Sequence, residues 1–462
     1  MESLQRAGAW PPRSVRNSYK AFTDSLLAHS FNEKALKLAL LAALAAAAVS
    51  ALLPTAAAAS PSVRFGVQDD AYLAAGPTLE PNLATLDELG AKLVRYMVNW
   101  RAIAPTKPRH PAEPDDPAYD WTNMDAVLGG LRAHGITVLV TLYRTPVWAS
   151  DSRIPRAVPR SKNSLPAFAV AVAKRYPWVR LWEIWNEPNL RTFLTPNSPK
   201  LYVQRLLNPT YDALVAQNPL NRVAGGATSP RSTKTGLSPV KFMRGMKQAH
   251  ARLDAYSHHP YPVTRGERPF GFAKGVCRYC TGVLTLANLP ALVREVRRDF
   301  GPKRIWLTEY GYQTNELDPL GVSPILQAKY VADSALRVRG APFVDLLIQF
   351  LVQDESRHNG WQSGLVSPSG IPKPAFNSFM LPIAESGRRG LRTTIWGQVR
   401  PGKGRRAYQL QRLVRGRWGN VGGRALTDVR GSYKRVVRSP VGARFRVVWL
   451  DTKTSSRPIV IR

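Results

Sequence analysis

Eight short apolar runs alternate with longer amphipathic segments along most of this chain. Segment 121–134 is typical of the amphipathic ones: Met124, Val127, Leu128 and Leu131 recur at helical spacing, and a glycine follows. Segments 284–300 and 327–338 repeat the pattern. The predicted strands are 63–67, 93–98, 137–142, 179–185, 222–225, 255–258, 305–308 and 344–350. Such alternation indicates a parallel sheet wrapped by helices, and eight units predict a (β/α)8 TIM barrel.

Two glutamates close predicted strands. Glu187 ends the fourth run within the sequence WEIWNEPN, and Glu309 ends the seventh within RIWLTEYG. Their separation of 309 − 187 = 122 residues equals three strand–helix units of roughly 40 residues, slightly longer than the units of a barrel of about 250 residues. Either glutamate alone could equally be a helix cap or a surface acid. Together they indicate paired-carboxylate chemistry of the kind that glycoside hydrolysis requires.

Further polar and aromatic side chains follow other predicted strands, where such barrels build their sites. They are Arg95, Asn99, Trp100, Tyr143, Arg144, Trp148, His258, His259, Tyr261, Gln353 and Asp354. His259 and Tyr261 are candidate hydrogen-bond donors to Glu309, although a histidine at a strand end is more often structural. Arg95 is either a cation that orients the site or part of an ion pair in the barrel wall. The apolar neighbours of Glu187 favour the raised pKa that a general acid needs.

The segment from about 63 to 379 resembles clan A glycoside hydrolases, in particular families 39 and 5. The resemblance rests on Asn186-Glu187-Pro188 and on Thr308-Glu309-Tyr310-Gly311, with softer similarity at 65–67, 94–100, 146–149 and 258–261. It implies a (β/α)8 fold and a retaining mechanism without metal or cofactor, in which Glu187 is the acid/base and Glu309 the nucleophile. It also implies that Asn186 binds the sugar's 2-hydroxyl. The other implied substrate-binding residues are Arg95, Trp100, Trp148, His259 and Tyr261.

The chain departs from the clan at two places. Many members have a histidine after strand three and a tryptophan at strand eight, where this chain has Tyr143 and the run Phe350-Leu351-Val352-Gln353. Trp361 is near enough in sequence to supply an aromatic platform instead, but an aromatic residue in a long loop is as often simple packing.

The N-terminal region predicts export. Residues 38–53 form an apolar run of 16 residues, preceded by Lys34 and Lys37 and followed by Ala57-Ala58-Ala59. This pattern is typical of a secretory signal with cleavage before Ser60, so 1–59 is the predicted leader and 60–385 the catalytic domain. The predicted location is secreted or cell-envelope associated. An uncleaved membrane anchor is the alternative, although spanning helices prefer about 20 residues.

Two cysteines, Cys277 and Cys280, occur in the connection after strand six, and the chain has no others. A C-x-x-C pair in a cytosolic redox protein would suggest an active dithiol, but the thioredoxin-like context is missing, as is the second pair that zinc would need. The sequence therefore predicts a local disulfide in an exported loop.

The C-terminal region is strongly basic. Residues 385–462 hold 20 lysines and arginines against three acids, a surplus of +17 out of +34 for the chain. Aromatic residues interleave with Val and Leu runs between glycine-rich turns, which predicts a small all-β sandwich-like module at 392–462. Its charge predicts an anionic cell-envelope polymer as partner, rather than specific nucleic acid, which an exported protein rarely meets. The alternative is an arginine-rich composition without a ligand.

Two functions of different classes fit these features. The first is a secreted retaining glycosidase that cleaves a polysaccharide or oligosaccharide by double displacement. The second is a non-catalytic carbohydrate-binding or envelope-tethering protein on a glycosidase-like barrel. Because both glutamates stand in intact motifs, the sequence favours the enzyme.

Overall fold

A computed structural model describes residues 63–150, 152–272, 282–314, 317–356 and 360–462. Eight parallel strands form a closed barrel, in which β1 pairs with both β2 and β8. The strands are β1 (Arg64–Gln68), β2 (Leu93–Asn99), β3 (Thr137–Tyr143), β4 (Leu181–Ile184), β5 (Arg222–Thr228), β6 (Ala255–His258), β7 (Arg304–Tyr310) and β8 (Val344–Phe350). Each overlaps its predicted run, and the predicted TIM barrel is confirmed.

Helices connect the strands of the barrel. They are α1 (Leu79–Leu89), α2 (Trp100–Ile103), α3 (Thr122–Ala133), α4 (Ser164–Arg175), α5 (Pro199–Leu201), α6 (Asn208–Gln217), α7 (Pro239–Gln248), α8 (Leu289–Phe300), α9 (Pro324–Arg339) and α10 (Pro374–Met380). A π-helical turn, Tyr202–Leu207, joins α5 to α6, and a 3₁₀ turn, Val147–Ala149, follows β3. Three helices begin with Ser-Pro, where the serine side chain accepts a backbone N–H of the first turn and proline occupies a position that needs no N–H donor.

Helix α8 begins five residues later than the sequence predicts. Asn288 accepts a hydrogen bond from the backbone N–H of Thr285 at 2.7 Å and donates one to Val283 O at 2.9 Å. These local bonds hold 283–288 as a turn, because an asparagine side chain competes with the helical backbone for its partners.

The barrel interior changes from apolar to polar toward the carboxyl ends of the strands. One buried cluster fills the barrel with Leu93, Leu139, Leu181, Ala224, Ala255, Trp306, Leu346 and Ile348. Side chains two residues apart on a strand share a face. Arg95, Thr141 and Glu183 therefore form the next layer, which supports the mouth of the barrel.

Nine strands follow the barrel and confirm the all-β C-terminal module. They are β9 (Ile383–Arg389), β10 (Arg392–Gln398), β11 (Ala407–Val414), β12 (Arg417–Asn420), β13 (Ala425–Leu426), β14 (Ser432–Arg438), β15 (Arg444–Trp449), β16 (Thr454–Ser455) and β17 (Ile459–Val460). Strands β14, β10 and β9 form one antiparallel sheet, and the others form a second sheet around β11 and β15. Because β9 pairs with β10, the first sheet begins before the predicted module boundary at residue 392.

Arg400 is the central contact between module and barrel. It is buried, and its guanidinium carbon lies 4.0 Å from the ring centroid of Phe65 and 4.3 Å from that of Phe379. Nearby, Gly90 adopts φ 68°, and a side chain there would collide with the Arg400 and Pro401 backbone. Residues 59–462 accordingly form one compact unit.

Two predictions concern residues outside the described part of the chain: the leader at 1–59 and the Cys277–Cys280 disulfide. Within the described ranges, no helix is long and apolar enough to cross a membrane. In the same ranges, no group of three or more His, Cys, Asp or Glu side chains is arranged to hold a metal ion.

Candidate active site

Arg95 on β2 lies at the centre of the barrel mouth and has no solvent exposure. Its guanidinium donates to five side chains, which belong to β1, β3, β4, the turn after β4 and β7. These are Gln68 Oε1 (2.6 Å), Thr141 Oγ1 (3.0 Å), Glu183 Oε2 (2.7 Å), Asn186 Oδ1 (2.8 Å) and Glu309 Oε1 (2.5 Å). The planar fork of an arginine thus fixes the relative positions of β1, β2, β3, β4 and β7.

The charge of Arg95 is balanced below the site by Glu183, which is also fully buried. Burial opposes both charges, but the carboxylates of Glu183 and Glu309 raise the pKa of Arg95. In return, the guanidinium holds the pKa of Glu183 below its usual value despite burial. Thr141 also donates to Glu183 at 2.9 Å. Removing one partner of such a pair would leave an uncompensated buried charge, which costs about 3–5 kcal/mol.

Glu187 follows β4 on a strained turn. Trp185 and Glu187 adopt φ 74° and 40°, values that residues other than glycine rarely take. The Trp185 indole donates to Phe193 O at 2.8 Å, and the Glu187 N–H donates to Ala227 O at 2.9 Å. Asn189 accepts from the Ser229 N–H at 2.9 Å, which ties the motif to the loop after β5. The surrounding loops therefore hold the strain, a frequent property of functional sites.

Glu309 is near the end of β7, where the pairing with β8 shifts register between Leu307 and Tyr310. Such irregularities re-aim a side chain. One carboxylate oxygen accepts from Arg95, and the other accepts from the Tyr261 hydroxyl at 3.1 Å. Burial raises the pKa of Tyr261, so its phenol stays protonated and can donate.

His259 brings the two glutamates together. Its Nδ1 lies 3.0 Å from Glu187 Oε1 and 3.6 Å from Glu309 Oε2, and the ring is fully buried. Those two oxygens are therefore at most about 6.6 Å apart, close to the lower limit of about 6.5 Å for inverting pairs. Burial lowers the pKa of His259, which favours a neutral imidazole.

The two glutamates differ in electrostatic environment. Burial raises the pKa of both carboxyl groups. This rise is opposed at Glu309 by the permanent cation of Arg95, but at Glu187 mainly by His259. Because a neutral imidazole stabilises a carboxylate less than a guanidinium does, these surroundings favour protonation of Glu187 over protonation of Glu309.

Asn186 is nearly buried beside Arg95. Its Oδ1 accepts from Arg95 at 2.8 Å, and its amide N–H₂ donates to none of the described residues. Because Arg95 fixes the orientation of the Asn186 amide, both N–H groups of that amide are available to a ligand. The predicted contact with a 2-hydroxyl remains a prediction.

An aromatic cluster lies on the Glu309 side of the mouth. The Tyr261 ring centroid is 6.4 Å from that of Phe350 and 5.5 Å from that of Trp361, and Phe350 and Trp361 are 5.8 Å apart. Trp361 keeps 41% of its surface exposed. The structure thus brings the tryptophan from the loop after β8 next to a residue that binds Glu309.

The prediction that Trp100 binds substrate is wrong. Trp100 has no exposure, because α2 turns its ring into the core against Phe168 at 5.7 Å and Trp148 at 5.6 Å. Trp148 is half-buried in the same packing, and its indole donates to Ala104 O at 2.8 Å. These contacts are structural, and a substrate contact for the exposed part of Trp148 stays a prediction.

Other residues after strands prove structural. Burial lowers the pKa of His258 to about 3, and both ring nitrogens have partners, Thr228 Oγ1 at 2.9 Å and Leu284 O at 2.8 Å. Asp354 pairs with Lys373 at 2.8 Å. Asn99 caps α2.

Sequence reasoning missed the polar residues that support the pair, namely Gln68, Asp70, Thr141 and Glu183. Each accompanies Arg95, either through a direct bond or, for Asp70, through the bond from Gln68 at 3.2 Å. The sequence carries one signal for such residues: a polar residue stands two positions after an apolar residue that faces the barrel interior, as Arg95 follows Leu93.

Comparison with protein-family models and with curated proteins finds no match. Among solved structures, similarity covers most of the chain. A monomeric β-xylosidase from Caulobacter crescentus CB15 is 19% identical, with a TM-score of 0.53 over 83% of this chain and 94% of that one. A family 39 enzyme from Xanthomonas axonopodis pv. citri is 17% identical, with a TM-score of 0.54 over 83% and 93%.

A family 39 glycoside hydrolase from Bacteroides cellulosilyticus WH2 is 16% identical, with a TM-score of 0.55 over 82% and 81% of the two chains. The resemblance to clan A glycoside hydrolases is therefore confirmed at the level of the fold. At these identities the likeness establishes a shared architecture, and the reaction must be argued from the site.

We expect Asp69 to make stability depend on pH. Its carboxylate accepts the N–H groups of Tyr72, Val352 and Gln353, and burial raises its pKa to about 6. The folded state therefore keeps this proton at a pH where the unfolded chain, with a pKa of about 3.9, has lost it. This stabilisation is complete below about pH 4 and is lost as pH rises to about 6. Urea unfolding from pH 3.5 to 7 should give a flatter profile for Asp69→Asn.

Glu88→Gln, a substitution on the exposed surface of α1, is the matched control and should keep the wild-type profile. Parallel profiles for Asp69→Asn and wild type would contradict the role assigned to Asp69.

Proposed function

We propose that this protein is a retaining glycoside hydrolase that cleaves O-glycosidic bonds of a polysaccharide or oligosaccharide. The observation that carries the proposal is the approach of Glu187 and Glu309 to the same nitrogen of His259, at 3.0 and 3.6 Å. The resulting upper limit of about 6.6 Å accommodates the separation of about 5–5.5 Å that retaining pairs use.

In the first step, Glu309 attacks the anomeric carbon while the bond from that carbon to the leaving oxygen breaks. Glu187 donates its proton to the departing oxygen, so the leaving group departs as a neutral alcohol. Arg95 and Tyr261 support this division of roles, because both donate to Glu309 and favour its ionised form. The product is a glycosyl ester on Glu309.

In the second step, the ionised Glu187 removes a proton from water, whose oxygen attacks the anomeric carbon and releases Glu309. Two inversions at that carbon retain its configuration. His259 keeps Glu187 in place through both steps and is a positioning residue. Asn186, with Oδ1 fixed by Arg95, is suited to donate to the 2-hydroxyl.

A non-catalytic carbohydrate-binding protein is the competing function. A binding site needs polar donors and an aromatic surface, but it has no use for two carboxyl groups that are only 12–13% exposed and lie at one imidazole. Keeping such a pair largely out of solvent requires the compensation that Arg95 and His259 supply. This arrangement favours catalysis.

The half-exposed ring of Trp361 supports a sugar-binding surface beside Glu309. Tyr261, which donates to Glu309, lies between the nucleophile and this ring. Aromatic faces present large apolar area to the C–H face of a sugar. We infer that Trp361 replaces the tryptophan that the clan usually has at strand eight.

Export belongs to the same proposal. It is supported by the apolar run at 38–53 and the Ala57-Ala58-Ala59 sequence after it. N-terminal sequencing of protein recovered from the medium should begin near Ser60, whereas an intact leader in the membrane fraction would contradict cleavage.

Substitution of the two glutamates should have different effects. Glu309→Gln should nearly abolish turnover, because the amide cannot attack the anomeric carbon. Glu187→Ala should slow glycosides with poor leaving groups by about 10²–10⁴-fold and activated ones much less, because only the former need protonation. Added azide should restore the rate of Glu187→Ala by attacking the glycosyl ester. Product analysis by NMR should show the starting anomeric configuration first.

Glu88→Gln again serves as the matched control and should retain full activity. A first product of inverted configuration, or near-normal turnover by Glu309→Gln, would overturn the mechanism. Absence of hydrolysis by wild-type protein across a broad panel of glycosides and polysaccharides would favour the non-catalytic function.

We also propose that the C-terminal module binds an acidic polysaccharide of the cell envelope. The support is a row of arginines across the first sheet, in which Arg392 on β10 pairs in register with Arg438 on β14 and Arg389 on β9. All three are exposed, and among described residues no carboxylate lies within 4 Å of them. Like charges opposite each other across strands are unfavourable, and a bound polyanion would relieve this repulsion.

The variant Arg389→Gln/Arg392→Gln/Arg438→Gln in the full chain tests this partner. Its affinity for polygalacturonate should fall about tenfold or more, because each exposed ion pair contributes up to about 1 kcal/mol. Wild-type binding should weaken steeply with salt. Lys162→Gln/Lys200→Gln/Lys241→Gln removes the same charge from the barrel surface and should bind as wild type does. An equal loss of affinity in both variants would support the alternative, an arginine-rich composition without a specific ligand.

A further inference from the structure

Two arginines extend from the loops on the Glu187 side of the barrel mouth. Arg144 directly follows β3, is exposed, and adopts φ 69°. Its guanidinium carbon lies 5.5 Å from the ring centroid of Tyr143. Left-handed backbone is unfavourable for a residue with a side chain, and such strain concentrates at functional sites.

Arg156 is brought to the same place by Thr145. The Thr145 N–H donates to Pro155 O at 2.7 Å, and its hydroxyl donates to Ala157 O at 2.5 Å. Arg156 is the residue between these two acceptors, and Thr145 is the neighbour of Arg144. These bonds hold Thr145 against residues 155–157, so the backbone brings the segments that carry Arg144 and Arg156 together within the loop after β3.

Neither guanidinium group has an anionic partner in the part of the chain that the structure describes. Among described residues, no carboxylate lies within 4 Å of either one, whereas Arg95 and Arg175 each have such a partner. The Nε of Arg156 is also buried without a hydrogen-bond partner in this part of the chain. A buried donor without a partner is costly, and a ligand oxygen would remove that cost.

Tyr143 connects these cations to Glu187. Its ring lies 5.3 Å from that of Trp185, two residues before Glu187. Burial raises the pKa of Tyr143, and Arg144 and Arg156 oppose this rise. Arg144 and the Trp185 ring thus both contact Tyr143, which places the arginine loop beside the turn that bears Glu187.

The position of Arg144 and Arg156 at the barrel mouth determines which part of a substrate they contact. Glu309 and the cluster of Tyr261, Phe350 and Trp361 belong to β6, β7, β8 and the loops that follow, whereas Arg144 and Arg156 follow β3. A retaining enzyme holds the attacked sugar over the nucleophile and releases the leaving group past the acid. The arginines are therefore on the leaving-group side.

We propose, on the basis of the glycosidase function above, that Arg144 and Arg156 form a subsite for an anionic leaving group, a sugar that carries a carboxylate or a sulfate. Guanidinium groups suit both, because their paired N–H groups match two oxygens of either anion. The cut polymer is then acidic on the reducing-end side of the cleaved bond.

Aryl glycosides test the subsite without the natural polymer. The sugar that a panel screen identifies is attached to 4-nitrophenol, to 3-carboxy-4-nitrophenol and to the corresponding sulfonate. Wild-type enzyme should have higher kcat/KM for the charged compounds. Arg144→Gln/Arg156→Gln should lower kcat/KM for them by about 10–100-fold and leave the neutral compound within about threefold. The charged compound with the higher kcat/KM indicates which anion the subsite prefers, a carboxylate or the sulfate that the sulfonate stands for.

Lys200→Gln/Lys241→Gln removes two charges from α5 and α7 and should leave all three values unchanged. Equal turnover of neutral and charged compounds by wild type, or equal loss for all of them in the arginine variant, would overturn the subsite while the glycosidase function stands. Failure of wild type to hydrolyse any compound in the panel would instead contradict the glycosidase function. Unchanged turnover of the neutral glycoside by the arginine variant shows that it is folded.

Discussion

The buried guanidinium of Arg95 is the interaction on which the active site depends. One cation without solvent contact satisfies carboxylates on β4 and β7 and fixes the amide of Asn186 between them. Burial of this charge is tolerable because two carboxylates share it, and the same contacts stabilise the ionised form of Glu309. In the proposed mechanism, Arg95 favours an ionised nucleophile and leaves the proton to the acid, because it hydrogen-bonds Glu309 and not Glu187.

Much of this arrangement could be predicted from the sequence because it depends on periodicity. Eight apolar runs separated by helical segments leave few architectures, and strand ends in a barrel meet at one mouth. Glu187, Glu309, Arg95, His259 and Tyr261 were all predictable as a shortlist for that reason. Their contacts are a property of the closed barrel, which brings residues 214 positions apart into a hydrogen bond.

The remaining features could not be predicted, because they depend on where a chain turns after a strand. Trp100 follows β2 as Arg144 follows β3, yet α2 begins at Trp100 and directs its ring into the core. Glu183 looks like part of an apolar strand, but it balances Arg95 inside the barrel. The start of the module at β9 could not be predicted either, because only the pairing of residues 383–389 with β10 assigns them to the first sheet of the module.

The two proposed anion sites belong to different parts of the chain but would suit one substrate. A polysaccharide with repeated carboxylates or sulfates would bind the arginine row of the module and, at the mouth of the barrel, present an acidic leaving group to Arg144 and Arg156. Weak contacts in two places on one chain raise the effective concentration at the cleft well above what either affinity provides. On this proposal the surplus of +17 in residues 385–462 would steer a polyanion to the protein, an attraction that salt screens, whereas cleavage would take place only at Glu187 and Glu309.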